Sequence, residues 1–117
     1  MEQLNRIEIR GTVGSARLAT VGGRKVLNCS VATNYVYKDK NGTAVIETTW
    51  HNVVAWENDR LPDLTQIGKG TKLYVSGRLQ SQRYTGSDEI ERFYYEIMAN
   101  KMQVIDAGEP MQYEMYN

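Results

Sequence analysis

The sequence predicts an all-β domain: five strands closed into a small Greek-key barrel, with one short helix between strands 3 and 4. Three observations carry that expectation. Apolar residues recur at every second position through most of the chain, the period of a half-buried strand. Glycines punctuate the strand-like runs, as the tight bends of a small barrel require. Only one stretch, "NDRLPDLTQIGKG", changes to helical spacing.

Taken in order, "LNRIEIRGTVG" alternates Ile7, Ile9 and Val13 with polar residues, and Gly11 and Gly14 mark a bend or bulge. A short segment, "ARLATVGGRK", follows with Gly22-Gly23 as its turn. "KVLNCSVATNYVY" alternates again, placing Leu27, Cys29 and Val31 on one side. Cys29 reads as a small core hydrophobe, because nothing beside it suggests activation. "KDKNGTA" is a charged turn carrying the hairpin dipeptide Asn41-Gly42, and it leads into a third strand from about Val45 to Trp56.

In the helical stretch, Asp59 can cap, Pro62 fits only the first turn, and Gly68 or Gly70 can end it. Leu61, Leu64 and Ile67 then plug one end of the barrel. "KLYVSGRLQSQRY" is the fourth strand, with Leu73, Val75, Gly77 and Leu79 on its inner face. "TGSDE" is a loop and "IERFYYEIMANKMQVID" a long final strand. The folded domain is expected over residues 1–106. After Asp106 the period is lost, and residues 107–117 are expected to form a short C-terminal tail. Five strands in this order match the OB-fold, a barrel that commonly binds oligonucleotides or oligosaccharides. Fold alone does not give function, so the site must decide.

Composition narrows the function. A chain of 117 residues is one ordinary domain that folds without a disulfide or metal staple. Its single cysteine excludes an internal disulfide and fits a reducing, cytoplasmic setting. One Cys and one His make no metal-ligand cluster, so no metal or cofactor is expected. The N-terminus has no apolar signal core, and no run approaches the roughly 18 apolar residues of a membrane span. Fourteen basic residues balance fourteen acidic ones, which argues against a strongly basic nucleic-acid binder but leaves a locally basic groove open. No phosphate-cradling or dinucleotide fingerprint is present. No nucleophile or carboxylate pair accompanies His51, and the acidic residues are scattered or in loops, so no catalytic residue is expected.

Aromatics supply the strongest site signal. Tyr35, Tyr37, Trp50, Trp56, Tyr74, Tyr84, Phe93, Tyr94 and Tyr95 cluster toward strand ends and hairpins, several beside a cation, as in Tyr37-Lys38 and Arg83-Tyr84. Single strands are bound by such mixtures, in which rings stack on bases and cations track phosphates. Ordinary strand aromatics remain an equal reading from composition alone. The stretch "TTWHNVVAW" shifts the balance. Strand parity puts Trp50, Asn52, Val54 and Trp56 on one face, the indoles about 20 Å apart. Were that face inward, Thr48 and Asn52 would be buried too, and an unsatisfied amide costs about 1–3 kcal/mol. Trp50 is therefore expected outside. A bulge can exchange faces, so Trp56 stays open.

The segments "NRIEIRGTVG", "NCSVATNYVYKDK", "TTWHNVVAW", "GKGTKLYVSGRLQSQRY" and "RFYYEIMANKMQVI" fall in the order found in bacterial single-stranded DNA-binding proteins. The chain resembles that family over about residues 5–106, most specifically in Trp50-His51-x-Val53-Val54 followed by Gly70-x-x-x-Tyr74-Val75-x-Gly77. The resemblance implies a homotetramer of OB-folds that wraps single-stranded DNA in replication, recombination and repair. It implies stacking on Tyr37, Trp50, Trp56 and Tyr84, and phosphate contacts from Arg6, Lys40, Lys69 and Arg83. His51 then lies near subunit contacts. Asn52, Gln80 and Gln82 stand where the family is often basic, which implies a smaller electrostatic share of affinity. The family's acidic, Phe-ended tip, which recruits repair proteins, has no match in the segment after Asp106, with its Glu109 and Glu114. Recruitment through such a tip is therefore not expected. A nucleoid-associated, cytoplasmic location is implied as well. The nearest alternative is a primosomal-type OB-fold dimer, a protein–protein module of replication restart.

Overall fold

The computed structural model describes residues 2–106, so the tail expected at 107–117 lies outside the described residues. Five strands, β1 (Ile7–Val21), β2 (Arg24–Lys38), β3 (Ala44–Trp56), β4 (Lys72–Thr85) and β5 (Glu91–Asp106), close into a barrel in the order β1-β2-β3-β5-β4. Neighbours are antiparallel except β3 and β5, which run parallel and meet only at Val53–Ile97 and Val54–Met98. The expected all-β OB-type barrel is what the chain forms.

Alternation builds the interior. Leu27, Cys29 and Val31 of β2 face Val53 and Ala55 of β3, Leu73 and Val75 of β4, and Ile97 and Met102 of β5. Each large aliphatic side chain buried there contributes about 1.5–3 kcal/mol. Leu64 and Ile67 close one end of the barrel, with Leu61 packed against them, as the sequence suggested.

The helix itself is a correction. Only a single 3-10 turn, Leu64–Gln66, forms between β3 and β4, and its cap is Asp63 rather than Asp59. Asp63 Oδ1 accepts from the Thr65 backbone N–H at 3.0 Å. Pro62 biases Leu61 away from helical backbone, and Gly68 follows closely, so too few residues remain between them to propagate an α-helix.

Two further points concern strand length. β1 does not end near Gly14; it continues to Val21 and turns through Gly22 and Gly23, whose φ values of 58° and 83° suit a type I′ hairpin. Gly14, one of the two glycines expected to mark a bend or bulge, is the extra residue of a β-bulge, since the register with β2 passes from Val13–Val31 to Ser15–Ser30. The bulge exchanges the faces of β1, so Thr12 before it and Ser15 and Arg17 after it share one side. Leu79, expected inside, is exposed. From about Arg78 onward β4 and β5 leave the barrel as a long hairpin arm ending at Gly86–Ile90, and no interior remains for Leu79 to face.

Candidate nucleic-acid interface

β2 and β3 pair without interruption from Val26–Trp56 to Lys38–Ala44, so parity holds along their whole length. His51, Val53 and Ala55 take the inner side, and Trp50, Asn52, Val54 and Trp56 the outer. The registers of β1, β2 and β3 then define rows across this outer face: Thr12–Ala32–Trp50, Ser15–Ser30–Asn52, Arg17–Asn28–Val54 and Ala19–Val26–Trp56. Two polar rows are thus flanked along β3 by an indole at each end.

A wall stands beside this floor. Because β5 pairs with β3 only at two positions, its residues before Ile97 diverge and open a groove of about 450 Å³. Arg17, Asn28, Ser30, Asn52, Tyr94 and Glu96 are among the residues that line it. Asn52, awkward as a core residue, is exposed here, and its Nδ2 approaches the Tyr95 carbonyl at 3.4 Å. Opposite Tyr94 on the hairpin arm sits Gln82, which donates to Glu96 Oε1 at 3.1 Å. Tyr84 shares that side of the arm, its ring centroid 5.9 Å from that of Tyr94.

Trp50 is 54% exposed. Its indole rests against the bulge: a Cβ built on Gly14 would lie 2.4 Å from Cζ3 and 2.6 Å from Cη2. Trp56 is on the same face but half-buried, with the Arg24 guanidinium 5.3 Å from its ring centroid, a cation–π distance. Arg24 is held in turn by donation from Nη2 to the Glu57 carbonyl at 3.0 Å.

The other residues singled out in the sequence fall elsewhere. Tyr37 lies near the end of β2 with the opposite parity to Trp50, its centroid 5.9 Å from that of Tyr35. Hydrogen bonding to Glu47, together with that carboxylate's charge, holds the Tyr37 phenol above its ordinary pKa. Arg83 neighbours Tyr84 in sequence but projects from the opposite side of the arm and pairs with Glu91 at 3.6 Å. Arg6 pairs with Glu8 at 3.1 Å, beside a recess shared with Leu4, Leu79 and Tyr95. Both are exposed ion pairs screened by water, so either arginine can exchange its carboxylate for another anion at little cost. Lys40 is exposed in the β2–β3 turn and Lys69 in the turn before β4.

His51 points inward at the rim, where its Nε2 lies 2.9 Å from the Thr33 hydroxyl. Burial lowers its pKa below the usual 6.5. Trp50 and Trp56 thus share the outer face whose Asn52 and Val54 line the groove, and Tyr84 stands beside the lining residue Tyr94, whereas Tyr37 and the four predicted cations are not among the lining residues. Sequence reasoning missed Arg17, Asn28, Tyr94 and Glu96 as groove residues. The hairpin register, Gln82 opposite Tyr94, is the signal that would have found the last two. The bulge falls at Gly14, one of the two glycines expected to mark a bend or bulge, and it turns Arg17 to this face, a consequence of register that the sequence alone did not show.

A sequence profile described as the Single-strand binding protein family matches residues 4–105. The "Single-stranded DNA-binding protein" of Neisseria meningitidis serogroup A is 40% identical over 85 residues, covering 71% of this chain and 48% of that protein. The protein of the same name from Xanthomonas axonopodis pv. citri is 31% identical over 106 residues, covering 87% of this chain and 58% of that one. The chain therefore spans about half the length of the curated relatives it matches. Among solved structures, "Plasmodium falciparum SSB complex with ssDNA" superposes with a TM-score of 0.72 at 27% identity, covering 90% of this chain and 96% of that one. Among the described residues, no helix is long and apolar enough to cross a membrane.

Proposed function

Because the chain belongs to the single-strand binding protein family, we propose that it binds single-stranded DNA without a recognition sequence and protects it during replication, recombination and repair. The observation that carries this reading is the outward row Trp50–Asn52–Val54–Trp56 lying along a groove walled by Tyr94 and Glu96. Flat rings at intervals along one face suit unpaired bases, whose π-faces a duplex hides. Each stacked base contributes about 1–3 kcal/mol, and the gain is sequence-tolerant because every base has such a face. Binding the unpaired state in preference to the paired one removes hairpins by mass action.

We assign stacking to Trp50, Trp56, Tyr84 and Tyr37. Phosphate contacts fall to Arg6, Lys40, Lys69 and Arg83, with strand path linking the groove to the outlying residues. The strand-binding domain is residues 1–106. The activity is non-catalytic and belongs on the nucleoid in the cytoplasm. Assembly is assigned to copies of this chain, as a homotetramer with His51 near a contact. The far side of the hairpin arm supports that assignment, since Leu79, Phe93 and Tyr95 are exposed there and Leu4 is exposed beside Leu79 and Tyr95, the kind of apolar surface that marks a contact between proteins. The same surface is what a dimeric protein–protein module would use, so mass and strand affinity separate the two readings.

The test is fluorescence anisotropy with a labelled single strand and its duplex, over a range of salt, alongside sedimentation. The proposal expects the single strand to bind far more tightly than the duplex, at tetrameric mass. With four assigned cations per subunit and a contribution of about −0.7 per neutralised phosphate, a strand short enough to occupy one subunit should give a slope of log affinity on log salt no steeper than about −3. Equal affinity for duplex and single strand would overturn the reading, and dimeric mass with feeble strand binding would favour the protein–protein module.

A further inference from the structure

We propose that the groove between the β1–β2–β3 face and β5 is a distinct one-nucleotide subsite, with the base on Tyr94 and its exocyclic amine toward Glu96. The inference rests on the strand-binding reading above and adds to it a residue and a base preference.

Tyr94 is 41% exposed and stands on the same side of the arm as Tyr84, the two rings tilted by 57°. A strand leaving Tyr84 therefore meets a second aromatic face within one base step, turned toward the groove. The groove itself is polar, and its two sides differ in charge. Glu96 on the wall repels a phosphate. Arg17 on the floor carries no ion pair among the described residues. A nucleotide entering there is oriented: phosphate toward Arg17, base toward Tyr94 and Glu96.

The carboxylate is poised for the base edge. Gln82 Nε2 donates to Glu96 Oε1 at 3.1 Å, which fixes the group and leaves Oε2 to accept. An ionised carboxylate only accepts, so it pairs with the N4 amine of cytosine. Thymine presents its O4 acceptor at the same position and is disfavoured. Asn28 and Asn52 across the groove each offer both a donor and an acceptor, and they accommodate the remaining edge of either base.

Oligo(dC) and oligo(dT) of equal length, titrated at mildly alkaline pH while tryptophan emission is followed, test the proposal in the wild type and in Tyr94→Ala, Tyr94→Phe and Glu96→Gln. Tyr94→Ala should weaken both strands about 5- to 100-fold, and Tyr94→Phe, which keeps the ring, should bind as the wild type does. Glu96→Gln should lower the dC-to-dT affinity ratio by about 5-fold or more, because an amide can donate to O4. Wild-type affinity in Tyr94→Ala overturns the platform, and an unchanged ratio in Glu96→Gln overturns the base-edge contact. A wild-type protein that binds neither strand at low salt refutes the strand-binding reading, and the subsite falls with it. Strong wild-type binding with silent variants refutes the subsite alone.

Discussion

In Gly14→Ala the added Cβ would stand 2.4 Å from Cζ3 and 2.6 Å from Cη2 of Trp50. Carbon atoms rest at roughly 3.5–4.0 Å, so the edge of the indole must retreat by about 1 Å or more. The ring is half exposed, and the new Cβ would meet only side-chain atoms, of Trp50 and Ser30, so the indole can swing outward without moving a strand. Contrast Gly11, where a Cβ would meet the Ala32 carbonyl oxygen at 2.1 Å and the backbone itself would have to yield. Gly14→Ala should therefore cost about 1 kcal/mol or less, partly offset by the about 0.4–1 kcal/mol that alanine gains by restricting the unfolded chain. Strand affinity should suffer more. Loss of one stacking platform corresponds to about 1–3 kcal/mol. Urea unfolding and a tryptophan titration with oligo(dT) measure the two quantities separately. A stability loss above about 3 kcal/mol would mean that Trp50 is wedged as a structural residue. Unchanged affinity with a displaced indole would mean that it does not stack on the strand.

Arg24→Ala should uncover Trp56: in a Trp50→Phe background, acrylamide quenching should rise, and unchanged quenching would contradict the guanidinium–indole contact. His51 supplies a pH test. Its pKa is lowered in the folded state by burial, so the unfolded chain binds the extra proton first and stability falls as pH drops below about 7. The carboxylates with depressed pKa values, Glu8, Asp63 and Asp88, act only at lower pH, below about 5. His51→Gln should thus flatten the melting temperature between about pH 7.5 and 5.5, and a wild-type-like decline in the variant would refute the assignment. Cys29 is buried and its thiol is pushed up to about 11, so it should react with a thiol reagent only after unfolding. Rapid native labelling would show that the barrel opens there.

How much of this was legible in the sequence depended on range. Alternation within strands is local, so Leu27, Cys29 and Val31 or Leu73 and Val75 could be assigned to the core directly. The same local rule put Trp50 and Trp56 on one face, and uninterrupted β2–β3 pairing preserved that parity. The helix was overread because Leu61, Leu64 and Ile67 satisfy helical spacing equally well when a single 3-10 turn and its flanks plug the barrel. Leu79 was misplaced because period alone does not say where a strand leaves the barrel. The groove was illegible for a related reason. It depends on where β5 parts from β3, a long-range outcome of register, and on which of the two flagged glycines, Gly11 or Gly14, carries the bulge that turns Arg17 outward. Residues adjacent in sequence, such as Arg83 and Tyr84, consequently end on opposite sides of the arm.

The two tryptophans allow the central claim to be read one ring at a time. In Trp56→Phe, Trp50 is the only indole, half exposed beside Gly14 at the edge of the groove. Titration of this variant with oligo(dT) at low salt should quench its emission to saturation, and oligo-free salt additions should not. If Trp50 emission stays unchanged while anisotropy shows the strand bound, the bases do not stack on this face, and the row from Trp50 to Trp56 is not the binding surface.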